Sequence, residues 1–111
     1  MGRRGKRAER RALWWYRVRG YRILGTNVWI SGYELDLVVR RGRCLVFCEV
    51  KEKLGDRFGD PLEMVDEEKQ RRLRQAAESW LAQHPEAAAL WVSFDVIAVH
   101  EGRLHRIAEA F

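Results

Sequence analysis

Residues 34–51 read ELDLVVRRGRCLVFCEVK, two apolar segments separated by an arginine-glycine turn. The first segment alternates acidic and apolar residues before an apolar run, a pattern typical of a strand that enters a sheet. The second is almost wholly apolar until Glu49, which predicts a central strand covered on both faces. A hairpin turn at Arg41-Gly42 pairs the strands and places Asp36 opposite a residue near Phe47 and Glu34 opposite one near Glu49. A slip or bulge of one or two residues would place Asp36 diagonal to Glu49.

Helical and extended patterns alternate along the rest of the chain. Apolar residues at helical spacing indicate helices, whereas bulky and β-branched runs between turn signals indicate strands. The predicted elements are helices over 3–18 and from Asp60 or Asp66 to Pro85, strands over 21–29, 34–39, 43–51, 91–99 and 104–107, and a polar loop over 52–60. The order α-β-β-β-α-β-β predicts an α/β fold in which helices flank a mixed central sheet. A chain of 111 residues without repeats or linkers is expected to form one domain over 1–111.

Basic residues are concentrated at the amino-terminal end. Residues 1–22 contain nine Lys or Arg residues and one acid, whereas the remainder contains twelve basic and fifteen acidic residues. This distribution favours a polyanionic partner such as nucleic acid. The alternative is a solvated, arginine-rich face of the kind found in proteins of thermophilic or GC-rich genomes.

Composition excludes several classes of protein. Hydrophobic residues make up 47% of the chain, enough for a core and too many for a disordered segment. No run approaches the roughly 18 apolar residues that span a bilayer, and the basic start lacks a signal-peptide cleavage site. We therefore expect no membrane association and a cytoplasmic location. Cys44 and Cys48 lie too far apart along one predicted strand for a disulfide, so both are expected to be reduced thiols.

Acidic side chains gather at one end of the predicted hairpin. Asp36 lies within the first strand, and Glu49 shares a face with Lys51 in the next because side chains alternate across a sheet. Burying like charges together costs free energy unless a cation joins them. Two carboxylates, a backbone carbonyl and waters form an oxygen shell suited to Mg²⁺ or Mn²⁺. The alternative is a pair of salt bridges at the strand ends, Glu49 with Lys51 and Asp36 with an arginine.

Several short motifs follow one another in a specific order. They are GYELDL at 32–37, LVFCEVK at 45–51, FGDP at 58–61, Lys69, FDV at 94–96 and the final Ala110-Phe111. In this order they resemble the YraN-like family of small bacterial proteins, from about Glu9 to Phe111. The resemblance implies a restriction-endonuclease-like fold of the PD-(D/E)-x-K nuclease superfamily, similar to archaeal Holliday-junction resolvases. Its implied core, α-β-β-β-α-β, agrees with the predicted order of elements.

The resemblance assigns catalytic roles by position. It makes Asp36 the first acid of the nuclease motif, Glu49 the second and Lys51 the lysine. Asp36 and Glu49 would then hold Mg²⁺ or Mn²⁺ together with the backbone carbonyl of Val50, and Lys51 would assist the attacking water.

Two further acids complete the implied site. Glu9 matches the helical glutamate that many such nucleases add to the metal shell, and its place on the apolar stripe of the first helix predicts that it points inward. Its alternative is an ion pair with a nearby arginine. Glu34 matches an accessory acid of the family, although Tyr33 stands where the family usually has glycine.

Basic side chains on the two helices and after the third strand are the candidates for contact with nucleic acid. They are Arg3, Arg4, Lys6, Arg7, Lys53, Lys69 and Gln70, the last being the single uncharged member. A solvated helix face is the interpretation for Arg71, Arg72 and Arg74. Asp95 begins an otherwise apolar strand and is interpreted mainly as a structural partner for an arginine.

These features predict an Mg²⁺- or Mn²⁺-dependent endonuclease that hydrolyses phosphodiester bonds in DNA, with branched or junction DNA among the candidate substrates. Junction-cutting relatives act as pairs on two strands, so a homodimer is the oligomer that the resemblance favours. The alternatives are a non-catalytic nucleic-acid-binding module, or an adaptor that binds a protein partner in DNA metabolism or competence.

Overall fold

Two α-helices and five strands form within the described part of the chain. The computed structural model describes residues 3–53 and 65–111. Its elements are α1 (Arg3–Val18), β1 (Arg22–Ile30), β2 (Tyr33–Arg41), β3 (Cys44–Lys53), α2 (Glu67–Gln83), a 3₁₀ turn at Pro85–Ala87, β4 (Trp91–His100) and β5 (Arg103–Ile107). This is the predicted order. No helix in the described ranges is long and apolar enough to cross a bilayer.

The sheet is mixed, as predicted. Its strand order is β1-β2-β3-β4-β5. Neighbouring strands are antiparallel except for β3 and β4, which run parallel and are joined across one face of the sheet by α2. The α/β class and the flanking helices are thereby confirmed.

Each face of the sheet packs against one helix. Buried residues of α1, among them Ala8, Ala12 and Tyr16, contact one face, while Leu73 and Trp80 of α2 belong to the cluster on the other. The alanines let the α1 backbone approach the strands closely because they carry only a methyl group. Strand β3 is buried continuously from its second to its seventh residue, which confirms the prediction of a central strand covered on both faces.

Helix α2 begins at the second of the two predicted positions. Asp66 is the N-cap, and its Oδ1 accepts a hydrogen bond from the Lys69 backbone N–H at 2.9 Å. The alternative start at Asp60 and the motif at 58–61 lie outside the described residues. The predicted loop boundary is wrong at its first two positions, because β3 continues to Lys53 by pairing along its whole length with β4.

The β2–β3 hairpin turns at a different place from the predicted one. Arg41 pairs with Cys44, so the two-residue turn is Gly42-Arg43 rather than Arg41-Gly42. Gly42 has a φ of 60°, which glycine adopts without a steric penalty. The pairing is shifted by two residues from the predicted register, and its continuation beyond Leu37 would place Asp36 directly opposite Glu49.

The regular alternation of β2 is interrupted at Asp36. Leu35 and Val38 belong to the core cluster of α2, whereas Leu37 belongs to that of α1. On β1, Val28 pairs with Leu35 and Thr26 pairs with Leu37. Asn27 lies between these two pairs and has a φ of 50°. Asparagine tolerates this left-handed conformation better than most residues. Both strands are therefore irregular at the position where the acidic side chains converge.

Candidate active site

A cleft opens where β2 begins and β3 ends. Its volume is about 370 Å³, and it lies between residues of α1 and residues of α2. The acidic and basic side chains that line it are Glu9, Glu34, Asp36, Glu49, Glu52, Lys51, Lys69 and Arg72. The sequence-predicted acids and the motif lysine are thus brought into one cavity.

Glu9, Glu34 and Asp36 form a compact set of carboxylates. One oxygen from each lies within 4.8 Å of the others. Glu9 and Asp36 are buried, with 9% and 8% of their surfaces exposed. Oxygen ligands of Mg²⁺ or Ca²⁺ lie about 2.0–2.6 Å from the ion, so two oxygens on one ion are at most about 4–5 Å apart, which is close to the upper limit of the spacing found here. The donor set therefore fits the hard divalent cation predicted from the sequence.

Glu49 lies beside this set and has other partners. Its Oε1 is 3.3 Å from Lys51 Nζ, and its Oε2 accepts a hydrogen bond from the Tyr33 hydroxyl at 3.2 Å. The alternative salt bridge between Glu49 and Lys51 is therefore present. The sequence predicted Glu49 as a metal ligand together with Glu9 and Asp36. Among the described residues, the three-carboxylate set contains Glu34 and not Glu49.

Asp36 forms no ion pair with lysine or arginine in the described part of the chain, so the alternative salt bridge with an arginine is not found there. Its Oδ2 accepts a hydrogen bond from the Val50 backbone N–H at 2.8 Å, and its carboxyl group lies close to that of Glu9. Burial, with the nearby charges of Glu49 and Glu9, raises the pKa of Asp36 to about 8, against the opposing effects of the Val50 N–H and Lys51. Burial likewise raises the pKa of Glu9. Below about pH 8, a proton on Asp36 would therefore offset part of the clustered negative charge.

We expect the metal-free protein to lose stability as the pH rises. The pKa of Asp36 is about 8 in the folded chain against an ordinary value of 3.8, so between these values the folded state holds a proton that the unfolded state has released. The free energy of unfolding therefore falls as the pH rises through that interval. Urea unfolding in EDTA at about pH 5 and about pH 8 measures the change.

Asp36→Asn is the control for this pH dependence. An amide keeps the acceptor for the Val50 N–H and offers a donor to Glu9, but it does not titrate. The variant should therefore show a much smaller change between the two pH values. A parent protein whose unfolding free energy rises across the interval, or changes as in Asp36→Asn, would contradict the expectation.

Asn27 and Tyr33 are site residues that the sequence patterns did not single out. The Asn27 Nδ2 donates a hydrogen bond to Glu9 Oε2 at 2.9 Å, which orients that carboxylate. Asn27 is the one asparagine in the sequence and lies in a strand, where asparagine is disfavoured. This unusual position could have identified it as a candidate site residue. Tyr33 could have been identified because it stands where the family usually has glycine.

Three predicted phosphate contacts whose side chains are described, Lys6, Arg7 and Lys53, do not line the acidic cleft. Lys6 and Arg7 are exposed on α1, and Lys6 lines a second cavity of about 390 Å³ between α1 and β1. Lys53 is the last residue of β3 and is half-buried. The side chains of Arg3 and Arg4 lie outside the described part of the structure.

The predicted contacts of α2 divide into two groups. Lys69 lines the acidic cleft, whereas the Gln70 side chain donates a hydrogen bond to the Val65 carbonyl at 3.1 Å. Arg72, expected on a solvated face, also lines the cleft. It is exposed, and its Nε donates to Glu68 Oε1 at 3.1 Å. A side chain with a weak ion pair of this kind can turn towards a ligand at little cost.

Asp95 has a structural role. It is completely buried, its Oδ2 accepts a hydrogen bond from the Tyr16 hydroxyl at 2.6 Å, and it forms an ion pair with Arg106 at 2.9 Å. It does not line the cleft. The interpretation as the partner of an arginine is confirmed, and so are the free thiols of Cys44 and Cys48.

Known proteins resemble this chain along most of its length. Residues 8–99 match the model of the uncharacterised protein family UPF0102. A UPF0102 protein of Bartonella bacilliformis is 38% identical over 97% of this chain and 88% of its own length. Relatives from Frankia casuarinae (49% identical; 72% of this chain, 67% of theirs) and Xanthomonas oryzae pv. oryzae (44%; 83% and 77%) bear the same family name. The matched region includes every cleft residue from Glu9 to Arg72, and the chain therefore belongs to UPF0102, the YraN-like family whose motifs its strands carry.

Proposed function

We propose that the protein is an Mg²⁺- or Mn²⁺-dependent endonuclease that hydrolyses phosphodiester bonds in DNA. The observation that carries the proposal is the buried set of Glu9, Glu34 and Asp36, with Lys51 in the same cleft. These carboxylates would hold the ion, which supplies positive charge to stabilise the phosphoryl oxygens during hydrolysis. The order of helices and strands, which matches the nuclease core implied by the resemblance, supports the same conclusion.

The charge of the cleft explains why the activity should depend on a metal. Five carboxyl groups and three cationic side chains line the described part of the cavity. A DNA phosphate approaching this excess of acid is repelled unless the acids are neutralised. A divalent cation held by the acids removes the repulsion, and Lys69 and Arg72 can then pair with phosphates on the α2 side.

Glu49, Lys51 and Tyr33 form the second part of the proposed site. Hydrolysis joins a water oxygen to phosphorus and breaks the bond to one sugar oxygen, which takes up a proton. Lys51 is 30% exposed and can reach a phosphate oxygen or the attacking water, while its ion pair with Glu49 sets its direction. The Tyr33 hydroxyl holds the other Glu49 oxygen, so the carboxylate is fixed from both sides.

Hydrolysis by the unmodified protein tests the proposal. Labelled single-stranded, duplex and four-way-junction DNA of one sequence would be incubated with Mn²⁺ or with EDTA, and Mn²⁺ binding would be measured by calorimetric titration. We expect saturable Mn²⁺ binding and cleavage of at least one DNA form with Mn²⁺ alone. Binding of DNA without cleavage of any form would instead favour a non-catalytic module, and no DNA binding at all would favour an adaptor.

Lys51→Ala should remove turnover and leave the metal site in place. The ammonium group lies 3.3 Å from Glu49 Oε1, and the three carboxylates that would hold the ion belong to other residues. We expect the rate constant to fall by about 10²-fold or more, whereas the affinity for Mn²⁺ changes only a few-fold. Single-turnover kinetics and calorimetry measure the two quantities. Loss of Mn²⁺ binding in this variant would show that the lysine supports the site structurally instead.

A further inference from the structure

One exposed tryptophan lies on the wall of the acidic cleft. Trp29 is 71% exposed, near the end of the edge strand β1, and it lines the same cavity as Glu34, Asp36 and Lys51. It pairs directly with Glu34 in the β1–β2 register. Directly opposed residues on neighbouring strands project their side chains to the same face. The indole ring therefore stands next to the proposed metal-binding carboxylates.

The position of Trp29, rather than its exposure, distinguishes it. Trp14 and Trp91 are about as exposed, at 65% and 68%, but neither lines the cleft. Trp91 is the first residue of β4 and pairs with Cys44 at the opposite end of the sheet. No aromatic ring among the described residues stacks on Trp29, and most of its surface is exposed, so the indole is accessible to a planar ligand.

We propose that Trp29 is a stacking surface for an unpaired nucleobase, and that it selects substrates with a single-stranded nucleotide next to the phosphate that is cut. The inference rests on the proposed nuclease function and names its substrate class. A base inside a duplex already has neighbours on both faces, so its ring is not accessible to the indole. A base in a single strand, at a frayed end or at a junction offers a free face, and stacking on an aromatic side chain does not depend on sequence.

Charges on the other side of the cleft fit the backbone of the same strand. Lys69 and Arg72 lie three positions apart on α2, so their side chains occupy the same face of the helix. Both line the cavity that Trp29 also lines. A strand placed between β1 and α2 would therefore stack one base on Trp29 and pair its phosphates with the two cations, while the intervening phosphate faces the carboxylates.

Selective loss of single-strand binding tests the inference. Trp29→Ala, Trp29→Phe and the matched control Trp91→Ala would be compared with the parent, using fluorescein-labelled single-stranded DNA and its blunt duplex. Binding would be followed by fluorescence anisotropy in Ca²⁺, which accepts the same oxygen donors, and cleavage would be followed in Mn²⁺. We expect Trp29→Ala to weaken binding of the single strand about tenfold and to leave duplex binding unchanged within about twofold. Trp29→Phe should retain most of the affinity, and Trp91→Ala should behave as the parent.

The outcomes separate this inference from the nuclease proposal. Equal losses for single strand and duplex, or no loss for either, would overturn the stacking surface even if the parent protein cuts DNA. A single-strand loss of the same size in Trp91→Ala would overturn it too, because the effect would not depend on the cleft. A selective loss in Trp29→Ala with no cleavage by the parent would leave the stacking surface standing and reject the nuclease.

Discussion

Asp36→Asn should abolish metal-dependent hydrolysis of DNA without unfolding the protein. Asp36 belongs to the three-carboxylate set and accepts the Val50 N–H, so it links the proposed metal site to β3. An amide oxygen can still accept that hydrogen bond, but it lacks the charge that holds a divalent ion. We expect the cleavage rate in Mn²⁺ to fall by at least about 10²–10³-fold, and calorimetry to show a large loss of Mn²⁺ affinity.

Stability must be measured on the same variant. Because the neutral form of Asp36 is favoured by burial, the neutral amide should leave the metal-free protein at least as stable as the parent near pH 8. Glu78→Gln, an exposed acid on α2, is the matched control for the loss of one negative charge. Retention of parental cleavage in Asp36→Asn would reject the proposed site, since a contaminating nuclease would give the same activity in both samples.

Asp95→Ala should strongly destabilise the fold. Asp95 is fully buried. It accepts hydrogen bonds from Tyr16 of α1, from Arg106 of β5 and from the backbone N–H of Glu109, so it ties three parts of the chain together. Removing the carboxylate leaves a partly buried guanidinium and a buried hydroxyl without their acceptor. The expected cost is about 3–5 kcal/mol in the free energy of unfolding, measured by urea denaturation.

An exposed ion pair provides the contrast. Glu68 pairs with Arg71 and Arg72 on the surface of α2, and all three side chains are more than half exposed. Glu68→Ala should change the free energy of unfolding little, because solvent screens such pairs and both arginines stay hydrated without them. If Asp95→Ala and Glu68→Ala had similar free energies of unfolding, that result would contradict the structural role assigned to the buried pair.

Much of the candidate site was predictable because its chemistry is local in sequence. Glu49 and Lys51 are two positions apart on a strand, so the two-residue period alone places them on one face. The inward direction of Glu9 follows from its place on the apolar stripe of α1, and the structure confirms that it is buried. The N-cap of α2 at Asp66 was likewise predictable from the sequence, because capping depends on the few residues that follow.

Other parts of the site depend on contacts that sequence spacing does not contain. Asn27 reaches Glu9 across 18 positions, and Trp29 enters the cleft because its strand pairs with the one that carries Glu34. The sequence indicates a solvated Arg72 because helical periodicity shows which residues face the core but not which exposed residues border a cavity. That distinction requires the rotation of α2 relative to the sheet.

Local patterns therefore determined the order of the elements, the central position of β3 and the identity of most acids in the cleft. The reason is that backbone period, turn residues and the burial of apolar runs act over short stretches of chain. The tertiary structure alone decided which three carboxylates meet. The β2–β3 register set by the turn at Gly42-Arg43, and the irregularity of both strands at Asn27 and Asp36, are features of the folded chain. In it Glu34 and Asp36 meet Glu9, whereas Glu49 contacts Lys51 and Tyr33. The raised pKa of Asp36 has the same origin, since it follows from burial and from neighbouring acids that only the folded chain assembles.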